Sequence, residues 1–166
     1  MILETAGSIL KGKESRFVIS KKRKRFTLQE AEALLPELEK CLKLLRTKKE
    51  AYSRTHDLLF MHELVCAAER DRGLLEEKDD LEEGIHALEE AIEDLAKDVE
   101  AIFSMGCLLR NIEKGHVEFL GTHLGQEVYF SWQLGEPCVS HYRLPGKKVH
   151  ERVSFSGNSA TKKRSP

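Results

Sequence analysis

Apolar residues between positions 28 and 45 recur at alternating spacings of three and four: Leu28, Ala31, Leu35, Leu38, Leu42 and Leu45. That spacing lines one side of an α-helix and predicts a packing stripe for a partner helix. Thr27 followed by Glu30 has the form of a capping box, in which each side chain satisfies a free backbone N–H of the helix start. Phe26, just before it, is placed to staple onto Ala31. Pro36 stands inside the stripe and is expected to bend the helix. Beyond Leu45 the stripe weakens at Lys49 and His56, then resumes around Leu59, Leu64 and Val65. A second run is more regular: Leu81, Ile85, Leu88, Ile92, Leu95, Val99 and Ile102, with Gly106 and Leu109 continuing the spacing. This periodicity predicts a coiled-coil-like seam. Gly73 is the local breaker, which puts the turn between the helices near residues 70–76.

After Gly115 the period becomes alternating. His116–Leu120, Gln126–Leu134 and Cys138–Leu144 read as three strands. A tight hairpin is expected at Gly135-Glu136, before Pro137. That register places Trp132 opposite Val139, Phe130 opposite His141 and Val128 opposite Arg143, with Val128, Phe130, Trp132 and Leu134 on the core face. The fold class is therefore α+β, mostly α. A long antiparallel two-helix coiled-coil-like hairpin is followed by a small three-stranded antiparallel β-meander. Residues 1–25 read as a flexible basic arm, 26–156 as a single domain, and 157–166 as a disordered tail.

Charge refines the helical pairing. Residues 76–100 are rich in acids, whereas residues 40–54 carry Lys40, Lys43, Arg46, Lys48, Lys49 and Arg54 against Glu50. A fold-back near residue 73 sets residue 50 opposite residue 96, so the basic stretch faces the acidic one. The net charge of −1 gives no global attraction to nucleic acid. Cys41, Cys66, Cys107 and Cys138 form no CxxC and are expected to be reduced thiols. No apolar run is long enough for a membrane span, and a cytoplasmic location is expected.

Few residues carry chemistry. His116, His123, His141 and His150 cluster with Cys138 in the last third, but no pair has a zinc-ligand spacing. His62-Glu63 lacks the second histidine of HExxH, position 66 being Cys66. Acidic pairs such as Asp79-Asp80 read as a solvated helix face. No catalytic, metal or cofactor motif is present, so no enzyme activity and no cofactor is expected. The candidate functional positions are His141, Arg143 and Trp132. The run Lys21, Lys22, Arg23, Lys24, Arg25 offers a possible basic docking arm.

The stretch Arg25-Phe26-Thr27-Leu28-x-Glu30-Ala31-x-x-Leu34-Leu35-Pro36 resembles the opening of a bacterial family called domain of unknown function 2203. Gly106, Leu109, Glu113-Lys114-Gly115, Val117-Glu118-Phe119, Glu127-Val128, Trp132 and Leu134-Gly135-Glu136 resemble its second block. The likeness covers roughly residues 25–142. Members of that family continue with a Trp-His pair and a Gly-Phe-Ala-Gly-Arg-like ending. This chain has His141-Tyr142-Arg143, then Pro145-Gly146-Lys147-Lys148.

These features favour a non-enzymatic interaction module whose helical hairpin meets a protein partner or a second copy. The alternatives are a small metal- or histidine-dependent enzyme centred on His141 in the meander, and a weak nucleic-acid binder using the basic ends. Neither nucleic acid nor a membrane is the expected partner.

Overall fold

The capping box at Thr27 and Glu30 forms in full. The Thr27 backbone N–H donates to the Glu30 carboxylate at 2.7 Å, and the Glu30 N–H donates to Thr27 Oγ1 at 3.2 Å. Two orphan donors of the helix start are thereby satisfied. The structure, a computed structural model, describes residues 23–73 and 80–156. Helix α1 runs Leu28–Asp71 over 44 residues and continues through Pro36. Helix α2 runs Asp80–Ser104 over 25 residues. Five strands follow: β1 Leu108–Asn111, β2 His116–His123, β3 Gln126–Gln133, β4 His141–Arg143 and β5 Val153–Ser154. They form one antiparallel sheet in chain order. The protein is thus α+β and mostly helical.

The described residues fall into two compact units, 23–46 with 98–156, and 47–73 with 80–97. In the first, Ala31, Leu35, Leu38, Leu42 and Leu45 are buried as the spacing predicts, together with Ile102 and Cys107. One sheet face supplies the rest of this core through Val117, Phe119, Val128, Phe130 and Trp132. Phe26 joins helix to sheet: its N–H donates to the Leu120 carbonyl at 2.8 Å, and its ring meets Phe119 edge-on at 5.3 Å. Gly121 permits this approach, because a Cβ there would overlap the Phe130 ring and sit 2.7 Å from the Phe26 carbonyl oxygen.

In the second unit Leu88 is buried, while Leu81, Ile85, Ile92 and Leu95 are half-buried. Lys48 Nζ lies 2.8 Å from Asp94 Oδ2, and a Cβ on Gly84 would overlap Leu59. The half-buried positions on this part of α1 include Tyr52, His56, Leu59, Glu63 and Cys66. Leu64 and Val65, expected in the stripe, are instead 50% and 53% exposed.

Four expectations are corrected. The helical spacing does not continue through Gly106 and Leu109. Gly106 adopts φ 93° and ends the helix with its N–H on the Phe103 carbonyl, and Leu109 lies in β1. The meander has five strands, not three, because 108–111 and 153–154 also pair. The third predicted strand, Cys138–Leu144, shrinks to His141–Arg143. No two-residue hairpin forms at Gly135-Glu136. A turn does close there, from the Glu136 N–H to the Gln133 carbonyl at 2.9 Å, but the Gln133 N–H is taken by the Glu136 carboxylate at 2.8 Å. Pro137 has no N–H for the ladder, so the chain returns only at His141. The observed partners are Tyr129 with Arg143, Phe130 with Tyr142 and Ser131 with His141. This one-residue slip moves His141 and Arg143 off the apolar face.

Candidate functional site

Alternation along the strands collects Glu118, Ser131, His141 and Arg143 on the sheet face opposite the core. This face is closed to water at its centre: Glu118 and Ser131 have no exposed surface and Arg143 has 5%. Glu118 is the centre. Its Oε1 accepts from Arg143 Nε at 2.6 Å, and its Oε2 from Arg143 Nη2 at 2.8 Å and Arg110 Nε at 2.7 Å. Burial alone pushes a carboxyl upward, but the two guanidinium groups outweigh it and hold Glu118 below its ordinary pKa. Arg143 also donates from Nη1 to the Lys147 carbonyl at 2.7 Å, which pins the loop after β4. Its guanidinium lies 4.5 Å from the centre of the Tyr129 ring, with that of Arg110 5.7 Å away.

Beside this cluster His116 Nε2 and Ser131 Oγ share a hydrogen bond of 2.7 Å. Burial lowers the His116 pKa, which keeps the imidazole neutral at neutral pH. A serine joined to a neutral imidazole has the elements of an activated nucleophile. Ser131, however, has no exposed surface for a substrate to approach. A third group of contacts closes the Gln133–Glu136 turn. Arg152 Nη2 donates to Glu136 Oε2 at 2.7 Å and to the Ser131 carbonyl at 3.2 Å. Burial raises the Glu136 carboxyl, but Arg152 and the Gln133 N–H hold it below its ordinary value.

The candidate positions separate accordingly. Arg143 lies at the centre of the polar cluster. His141 sits at its edge, one-third exposed, with Nδ1 2.9 Å from Ser140 Oγ and 3.9 Å from Glu136 Oε1. Trp132 is buried on the other face and donates from Nε1 to the Glu136 carbonyl at 2.9 Å. Of the basic run, Lys21 and Lys22 lie outside the described residues. Arg25 pairs with Glu127 at 2.8 Å, Lys24 Nζ lies 4.6 Å from the centre of the Phe26 ring, and Arg23 donates to the Tyr129 hydroxyl at 3.4 Å. Arg23 and Arg25 are thus turned back onto β3, and Lys24 onto Phe26. Glu118, Arg110 and the His116–Ser131 pair escaped the sequence reading. The available signal was a charged residue between two core positions in Val117-Glu118-Phe119.

Among the described residues, no three His, Cys, Asp or Glu side chains group to hold a metal. Cys66 Sγ lies 3.6 Å from His62 Nε2 on one helix turn, a single pair. Cys107 is buried, and burial raises its thiol to about 12, so it stays protonated and unreactive. A second feature is apolar. On α1, Leu58, Met61, Leu64 and Val65 are 73%, 60%, 50% and 53% exposed, and Phe60 beside them 40%.

A mostly helical α+β chain, with buried ion pairs saturating the outer face of a five-stranded meander, defines a structural class rather than a reaction. The chain belongs to the family described as uncharacterized conserved protein (DUF2203), which matches residues 24–153. Both motif blocks, around Thr27 and around Glu118, fall inside that match. No curated protein and no solved structure matches the chain. No described helix is long and apolar enough to cross a membrane.

Proposed function

We propose that this protein is a non-enzymatic interaction module in which residues 47–97 form an antiparallel helical hairpin that offers an apolar stripe to another protein. The carrying observation is the exposure of Leu58, Met61, Leu64 and Val65 within two turns of one helix. Four large apolar side chains left in water at such spacing favour a partner that removes them from it. The Lys48–Asp94 contact and the Leu59–Gly84 approach support the hairpin, since the contact on α2 moves back from Asp94 to Gly84 as α1 advances from Lys48 to Leu59. On the sheet, Glu118 and Glu136 are matched by Arg110, Arg143 and Arg152.

The enzymatic alternative has one favourable feature, the 2.7 Å contact of His116 with Ser131, and the burial of Ser131 weighs against it. Affinity capture with the whole chain, compared with Leu58→Ser/Met61→Ser, tests the module. The expected result is one or more proteins, a second copy included, held by the wild type and lost from a variant of unchanged helicity. Identical retention by both chains would overturn the reading.

A further inference from the structure

We infer that the partner seated on this stripe is a second copy of the same chain, docked antiparallel about a two-fold axis at Met61; this deepens the interaction reading and rests on it. At about 100° per residue, the side of α1 carrying Met61 lies opposite the side carrying Tyr52 and Leu59. Leu59 is the residue that approaches Gly84 of α2, so Met61 points away from α2. Around Met61 the outward side reads Glu50, Arg54, Leu58, Met61, Leu64 and Ala68, with Arg72 one residue past the helix end, a strip of roughly 33 Å at about 1.5 Å per residue.

This strip is self-complementary. A two-fold axis through Met61 brings the two Met61 side chains together and sets Leu58 over the partner's Leu64. The same operation lays Glu50 beside the partner's Arg72 at each end, with Arg54 over the partner's small Ala68. Glu50 and Arg54 are both 71% exposed, and their contact within the chain is a loose 3.8 Å. Apolar residues at the centre and opposite charges at both ends are what an isologous contact requires. A foreign partner would have no need of ends that complement each other. The charges also select the antiparallel orientation, because a parallel pair in register would set Glu50 against Glu50 and Arg72 against Arg72.

Sedimentation equilibrium of the full chain at micromolar concentrations is the test, with circular dichroism to verify that each variant is folded. The wild type is expected to reach twice the monomer mass, and Leu58→Glu/Met61→Glu to weaken association at least about 100-fold. Glu50→Arg should weaken it and Glu50→Arg/Arg72→Glu restore it, a rescue that only this register explains. Met61→Cys should give a disulfide-linked dimer under mild oxidation faster than the wild type does. A monomer throughout, or a dimer indifferent to these changes, overturns the inference. If the chain is monomeric yet the stripe captures a different protein, the second copy is wrong and the interaction reading stands. If it is monomeric and nothing is captured, both fall.

Discussion

Replacing Glu118 by Gln removes one negative charge from a side chain with no exposed surface. One oxygen remains and the other becomes an NH2 donor, so the amide cannot accept from two guanidinium groups as the carboxylate does. Arg143 is then a buried cation whose side chain is 6% exposed, held by the Lys147 carbonyl and facing a neutral group. Breaking a buried pair from one side costs about 3–5 kcal/mol. Arg110, 30% exposed, can turn its guanidinium to water, so most of the loss falls on Arg143. Glu118→Leu/Arg143→Met removes both charges and should recover most of that loss, because an apolar replacement leaves no ion in the interior. Urea unfolding at neutral pH reads both variants through the midpoint at constant slope. The wild type should also lose stability in acid. The folded carboxyl titrates below its unfolded value, about 4.3. Its contribution is therefore complete above that value and disappears as the pH falls through the folded one. If Glu118→Gln lies within about 0.5 kcal/mol of the wild type, or the double variant is no better than the single, the cluster is not the keystone of this face.

His116 supplies a second acid-sensitive term: its lowered pKa means that protonation opposes folding, so stability should fall as pH drops below about 6.5. His116→Gln should flatten that limb of the Tm–pH curve, and an unchanged slope would refute it. Gly121→Ala should cost about 1–3 kcal/mol in chemical unfolding, since the Phe26 backbone in its path cannot rotate away. Leu124 occupies the β2–β3 turn at φ 50° and is 82% exposed, so Leu124→Asn should raise stability by roughly 1 kcal/mol; a lower Tm would count against strain there. Leu88→Ala should cost about 2–5 kcal/mol, the range for a buried leucine, and an unchanged Tm would remove it from the seam.

Local chemistry was legible in the chain by itself. The Thr27–Glu30 cap, the α1 stripe from Ala31 to Leu45 and the core alternation of Val128, Phe130 and Trp132 are set by residues a few positions apart. So was the family, because its motifs are short and contiguous. Tertiary structure decided the ends of elements and the meaning of the polar positions. Gly106 continues a helical spacing in the sequence, but near Lys24 and Phe26 it takes a left-handed conformation and the chain turns into β1. The slip that reassigned His141 came from a side chain, the Glu136 carboxylate on the Gln133 N–H, closing the ladder early. Glu118 is only one position of a motif until Arg110 and, from 25 residues away, Arg143 reach it; Leu59, Leu64 and Val65 read as one stripe, but of the three it is Leu59 that approaches α2, while Leu64 and Val65 are exposed. Periodicity records which residues share a side of an element. Which side is then covered, and by what charge, depends on contacts the spacing does not encode.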